Sequence, residues 1–137
     1  MTEKTVMDAL VQMKRTGNLL NELEDLTHQI GQSIDRNDQV SLQMLIAMRE
    51  EPLGRLQEAD RAIRDQLELL TDKLEAAQLA SMLEGGPPAD PGVRVQQQLC
   101  EQVAANNRHL KRIIELDQRL NERLARENSV YRQNNSG

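Results

Sequence analysis

Aromatic side chains are almost absent from this sequence, which has one Tyr and neither Phe nor Trp. Globular cores usually depend on such large side chains, so this core must consist of Leu, Ile, Val, Met and Ala layered between helices. Strand patterns are missing as well, since no stretch alternates β-branched with polar residues. These absences predict an all-α protein, and its 137 residues suffice for a single domain.

The sequence also lacks the usual signals of export, membrane insertion and metal binding. Cys100 is the single cysteine, which excludes an internal disulfide and leaves no zinc or redox motif. No apolar run approaches the roughly 20 residues that a membrane span requires, and the first ten residues carry acids where a signal peptide has an apolar segment. We therefore expect a cytoplasmic protein that binds no cofactor and no metal and does not insert into a membrane.

Charge is distributed unevenly along the chain, whose net charge is −5. Residues 1–84 are acidic on balance, whereas residues 93–137 are basic. This asymmetry indicates that the two parts pack together, or that the basic part meets an acidic partner. Nucleic acid is disfavoured, because the basic residues alternate with Glu and have no aromatic platform on which bases could stack.

Apolar residues recur at steps of three and four through almost the whole chain, which predicts long amphipathic helices. The fold class is therefore an elongated antiparallel helical hairpin plus a third long helix, as in a three-helix bundle or a coiled coil. The predicted elements of this single domain, 1–137, are a helix over about 3–34, a kinked helix over about 38–84 that is broken near residue 52, a linker over 85–92, a helix over about 93–130 and a frayed tail over 131–137.

Glycine and proline interrupt these helical patterns at three places. Gly17 lies inside the first helix, where it either lets another helix approach closely or forms a hinge. Pro52 lacks an amide hydrogen and predicts a break, which separates a short arm, 38–49, from a long rod, 52–84. Gly85 suits the left-handed position that ends a helix, and the prolines after it prevent continuation. Met44 and Met48 on the arm are either core residues or an adaptable binding patch.

The third helix has an apolar face too wide for a single neighbouring helix, with Asn106 and Asp117 near its centre. Each of these polar residues either hydrogen-bonds to the hairpin and fixes its alignment, or keeps the third helix loosely docked. In the second case the helix could swing out on the 85–92 linker and cover a helix of another protein with its apolar residues, Leu110, Ile113, Ile114, Leu116, Leu120 and Leu124.

Catalytic motifs are not recognisable in the sequence. His28 and His109 lie on different helices, without Cys or carboxylate neighbours at the spacing that metal sites use. His28 is interpreted as a helix-surface residue, and Cys100 as a small, buried or half-buried hydrophobic residue. We therefore expect a binding protein and not an enzyme.

Two segments resemble the flagellar type III export chaperones of the FlgN and FliT kind. Residues 34–50, IDRNDQVSLQMLIAMRE, resemble the turn at which an Asp of that family opens a helix leading to an Arg-Glu pair. Asn106-Asn107 followed by residues 113–120, IIELDQRL, resembles the last helix of the family. Pro52 and the Gly-Pro linker depart from the family pattern.

The resemblance implies a cytoplasmic chaperone that binds the amphipathic terminal helix of a flagellar structural subunit, the hook–filament junction or cap protein, before secretion. It also implies contact with components of the export gate. The sequence leaves open whether the protein is a monomer or a homodimer. The candidate partner-binding residues are Asn106, Leu110, Ile113, Ile114, Leu116, Asp117, Leu120 and Leu124. The alternative is a non-flagellar coiled-coil adaptor or oligomerisation module, because such a protein needs the same apolar stripes.

Overall fold

A computed structural model describes the backbone of residues 1–135 and the side chains of residues 1–127. All regular secondary structure in this part of the chain is α-helical, which confirms the predicted fold class. The helices are α1 (Glu3–Asp35), α2 (Gln39–Met48), α3 (Glu50–Leu69), α4 (Lys73–Leu83) and α5 (Arg94–Asn135).

The turn between α1 and α2 forms where the sequence predicts it. Asn37 adopts a left-handed conformation with φ of 53°, and Asp38 then caps α2 by accepting a 3.0 Å hydrogen bond from the amide of Ser41. The Ser41 hydroxyl also donates a hydrogen bond to this carboxylate. The two hydrogen bonds, of which the one from the hydroxyl has the larger effect, hold the pKa of Asp38 below its usual value. So short a connection makes the helices on either side antiparallel neighbours.

The break predicted at Pro52 lies three residues earlier, at Arg49. Pro52 is buried within the first turn of α3, where its missing amide hydrogen does no harm. The carbonyl of Met48, four residues before it, is the group that loses its helical donor, so the interruption falls at the junction and not at the proline. Helical hydrogen bonding resumes at 3.2 Å between the Leu53 amide and the Arg49 carbonyl.

A second break divides the rod predicted over 52–84, so that prediction of one continuous helix is wrong. Leu70 is extended, with φ of −75° and ψ of 119°, and the Asp72 carboxylate accepts hydrogen bonds from the amides of Leu74 and Glu75 to open α4. The apolar spacing continues across these residues and conceals the break. Asp72 followed by Glu75 is a sequence signal for the start of a helix, but the prediction of one continuous helix followed the apolar periodicity instead.

The helices run in alternating directions around α1, which contacts α2, α3 and α5. α5 is parallel to α1, because Val6 packs near Leu99 whereas Asp35, at the other end of α1, pairs with Arg123. α3 is antiparallel to both, since its Gln66 donates a 2.8 Å hydrogen bond to the carbonyl of Thr5. The predicted antiparallel hairpin and third long helix are therefore present and run up, down and up, with the short α4 as an addition that packs on α5.

The core is a row of three apolar clusters along α1. The first joins the start of α1 to α4 and α5, the second joins the middle of α1 to α5, and the third joins the end of α1 to α2 and α5. Leu79 and Met82 anchor α4 in the first cluster, where burial of such a side chain contributes about 1.5–3 kcal/mol. The members, cluster by cluster, are Val6, Ala9, Leu10, Leu79, Met82, Val95, Leu99 and Val103; Leu20, Leu23 and Ile113; and Leu26, Ile30, Ile34, Leu42, Leu45 and Leu120.

The linker and the last helix differ in detail from the prediction. Gly85 takes the expected left-handed conformation, with φ of 103°. The linker beyond it is tied to the start of α5, because the Gln96 side chain accepts a 2.7 Å hydrogen bond from the Asp90 amide. α5 continues to Asn135, past its predicted end near residue 130. Of the predicted frayed tail, residues 136 and 137 and all side chains lie outside the described residues.

α5 approaches α1 closely at Gly17, in agreement with the first of its two interpretations. A Cβ atom there would lie 2.9 Å from both Asn106 Oδ1 and Gln102 Nε2 on α5. Gly54, inside α3, has no such neighbour within 4 Å. Gly17 and Gly54 therefore provide a matched pair of helical glycines, and of these two only Gly17 faces another helix.

We predict opposite effects of leucine at these two glycines. Gly17→Leu should lower the free energy of unfolding by about 2 kcal/mol, because overpacking pushes α5 away. Gly54→Leu should raise it by about 0.5–1 kcal/mol, because leucine has the higher helix propensity. Urea denaturation followed by circular dichroism measures both, and equal effects of the two substitutions would contradict close packing at Gly17.

Candidate partner-binding surfaces

The eight residues predicted to bind a partner divide into three groups. Asn106, Ile113 and Leu120 are buried against the rest of the protein, and Leu116, Asp117 and Leu124 are half-buried. Leu110 and Ile114 are exposed, which leaves them accessible to a partner. In this arrangement the buried residues stabilise the fold, so contact between them and a partner would require α5 to leave α1.

Asn106 forms a polar link between α5 and α1 inside the apolar interface. Its side-chain amide donates a 2.8 Å hydrogen bond to the carbonyl of Met13, and its side-chain oxygen accepts a 3.0 Å hydrogen bond from Gln102. Both functions of the amide group are thus satisfied, which a buried amide requires. The side chain fits only beside a residue without a Cβ, which Gly17 supplies.

Asp117 forms the second polar link, which joins α5 to the second helix of the predicted hairpin. Its Oδ2 lies 2.7 Å from Arg49 Nη2, and the two side chains are 32% and 20% exposed. Arg49 occupies the junction between α2 and α3, so this ion pair ties α5 to the break in the helix. The Nε of Arg49 is buried without a hydrogen-bond partner. Asn106 and Asp117 therefore both bond to the hairpin, in agreement with the hypothesis that these polar residues fix its alignment with the third helix.

Exposed apolar residues flank this ion pair along the seam between α3 and α5. Ile46 and Leu53 lie one turn before and one turn after Arg49, and Ile114 lies one turn before Asp117. Together with Leu110 they are 41–49% exposed. Ile113 is buried in a cluster with Leu20 and Leu23 of α1, and half-buried Leu56 packs against this cluster, which we take as the floor of the seam. We call Ile46, Leu53, Leu110 and Ile114 the seam surface.

A second apolar surface follows the outer side of α2. Val40, Met44 and Met48, spaced four residues apart, are 78%, 57% and 50% exposed. Leu42 and Leu45 on the opposite side are buried, so this short helix is apolar on both sides but covered on only one. The interpretation of Met44 and Met48 as core residues is wrong, because α2 packs on α1 through Leu42 and Leu45 and leaves both Met side chains exposed. We call Val40, Met44 and Met48 the α2 stripe.

Glu24 on α1 gathers basic groups that the sequence does not reveal as neighbours. His109 on α5 is buried, and its Nε2 lies 2.5 Å from Glu24 Oε2. Arg112 Nε is 3.9 Å from the other carboxylate oxygen, and exposed His28 is 3.8 Å from it. Glu24 and His109 are 85 positions apart in the chain, so no local spacing could have revealed the pair.

Among the described residues, no group of three or more His, Cys, Asp or Glu side chains is placed to hold a metal ion. In the same part of the chain, no helix is both long and apolar enough to span a membrane. Cys100 is half-buried against the first cluster, as the sequence predicts, and burial raises the pKa of its thiol.

We predict that Asn106→Leu combined with Asp117→Leu lowers the melting temperature or broadens the transition. The change removes both polar links of α5 and leaves the partly buried guanidinium of Arg49 without its carboxylate, which costs about 1–3 kcal/mol. Thermal unfolding followed by circular dichroism tests this, with Leu110→Ala as a control at an exposed position. A variant that melts higher would instead indicate that α5 is loosely docked in the native protein.

The chain was compared with protein-family models, curated proteins and solved structures, and no match was found in any of the three comparisons. A function must therefore be argued from the two apolar surfaces, the distribution of charge and the resemblance carried by residues 34–50 and 106–120.

Proposed function

We propose that this protein is an export chaperone that binds the amphipathic terminal helix of a flagellar structural subunit, the hook–filament junction or cap protein, in the seam between α3 and α5. The observation that carries the proposal is the seam surface, a line of exposed apolar residues above an apolar floor. The finer, flagellar part of the proposal rests on the resemblance to FlgN- and FliT-type chaperones.

The shape of the seam suits a helix. One wall consists of Ile46 near the end of α2 and Leu53 near the start of α3, and the other consists of Leu110 and Ile114, one turn apart on the antiparallel helix α5. An amphipathic helix that places its apolar residues one turn apart would match this spacing. Such contacts would remove four exposed apolar side chains of this protein, and those of the bound helix, from water.

The ion pair between Arg49 and Asp117 places charge within the seam, with Ile46 on one side and Leu53, Leu110 and Ile114 on the other. A bound helix would meet apolar side chains on both sides of the pair and charge at the pair itself, which favours one position along the seam over others. The arrangement also explains how Asp117, Leu110 and Ile114 can contact a partner while Asn106, Ile113, Leu116, Leu120 and Leu124 hold α5 in place.

We predict that Leu110→Glu with Ile114→Glu weakens client binding at least tenfold. Carboxylates would face the apolar side of the bound helix and lose their hydration without a partner. The measurement is isothermal titration calorimetry with the purified junction and cap proteins encoded in the same genome. A loss of tenfold corresponds to about 1.4 kcal/mol.

The matched control is Leu69→Glu with Leu74→Glu, which changes two exposed apolar residues beside the break between α3 and α4. The control should bind the client as the natural protein does, and both variants should keep their helical circular dichroism. A natural protein that binds neither a junction nor a cap protein would contradict the flagellar assignment. Equal losses in the two variants would contradict binding in the seam.

The second candidate function is a coiled-coil adaptor or oligomerisation module, and the α2 stripe favours it. Residues spaced four apart on an exposed helix are suited to packing against a second helix, and an apolar stripe of this kind is unusual on a monomer. Two copies related by a two-fold axis would cover each other's stripe.

We predict that, if the stripe pairs two copies, Met44→Glu with Met48→Glu converts a dimer to a monomer. Like charges would then face each other across the axis, without changing the residues that α2 packs on α1. Sedimentation equilibrium measures the mass, with the Leu69→Glu and Leu74→Glu variant again as the control. A natural protein that is monomeric at high concentration excludes this candidate.

A further inference from the structure

A groove of about 510 Å³ runs between α1 and α5 on the flank of α5 opposite the seam. Its α1 wall includes Lys14, Asn18 and Asn21, and its α5 wall includes Arg108, His109 and Arg112. All of these are side chains that donate hydrogen bonds or carry positive charge. The groove therefore offers several hydrogen-bond donors and positive charges, at a place separate from the proposed client-binding seam.

The groove carries positive charge in a protein whose net charge is −5. Glu24, at one end, pairs with His109 and lies near Arg112. Lys14 and Arg108 are exposed, and neither makes an ion pair with any described acidic side chain. Two cations thus remain available to an incoming anion, although the net charge of the whole protein is negative.

An apolar patch continues the groove toward the start of α1. Met7 and Val11 are 42% and 57% exposed, and they precede Lys14 and Asn18 on the same stripe of the helix, at steps of three and four. The stripe therefore changes from apolar to basic along its length. A ligand that matched it would need apolar groups at one end and negative charge at the other.

We propose that this groove binds an acidic amphipathic helix of a partner protein, with carboxylates against Lys14 and Arg108 and apolar side chains against Met7 and Val11. The inference goes beyond the proposed function, because it assigns a second surface with a partner of different charge. A single small anion fits less well. The donors of α1 extend over about 10 Å, at 1.5 Å per residue from position 14 to position 21, and do not converge on one point.

The test uses a labelled 18-residue helical peptide with two Leu one turn apart at one end and three Glu on the same face at the other, made in both sequence orders. Fluorescence anisotropy measures its binding to the full chain. Lys14→Glu with Arg108→Glu should weaken binding at least tenfold. The matched control is Arg15→Glu with Lys111→Glu, which makes the same change in net charge on neighbouring exposed positions outside the groove, and it should change binding less than threefold.

Two further measurements separate the proposed ligand from other anions. A peptide with Gln at the three Glu positions should bind at least tenfold more weakly, and added salt should weaken the Glu peptide, because exposed ion pairs are screened. The proposal is overturned if neither order of the Glu peptide binds, if both double variants lose affinity equally, or if inorganic phosphate displaces the peptide at equimolar concentration, since the last result indicates a small-anion site.

Discussion

The packing of α5 against α1 is the contact on which the rest of the structure depends. The two helices are parallel. They pack closely because Gly17 has no side chain at the position where Asn106 enters the interface. From that point the register is fixed in both directions: Val95 and Leu99 meet the start of α1, and Leu120 meets its end. The polar groove lies along one flank of this packed pair and the seam along the other. Both proposed binding surfaces therefore depend on one alignment.

The sequence was sufficient to predict an all-α fold with a helical hairpin and a third long helix, since burial leaves a periodic trace in Leu, Ile and Val. It also placed Asn106 and Asp117 as polar positions in an apolar face, and close approach at Gly17 was one of two interpretations. The break at 70–72 was missed because Leu67, Leu70 and Leu74 keep their spacing across it. The apolar periodicity indicates which face of a helix is buried, but it does not indicate whether the helix is continuous.

The partners of the polar residues could not be predicted, for a different reason. Asn106 bonds to the carbonyl of Met13 and Asp117 to Arg49, at separations of 93 and 68 positions. Such pairs depend on how far one helix slides along another, and a shift of one turn would exchange every partner. The exposure of the α2 stripe was left open for the same reason, because composition alone does not distinguish a covered apolar helix from an uncovered one.

The position of α1 among three other helices has a consequence for the order of folding. α1, α2 and α3 are joined by short connections and can meet early, whereas the contacts of α1 with α5 close a loop of about ninety residues, which carries a larger entropic cost. During synthesis the α5-facing side of α1 stays uncovered until α5 has emerged. We expect α5 to dock last, so that until then the nascent chain presents a single long apolar stripe to its surroundings.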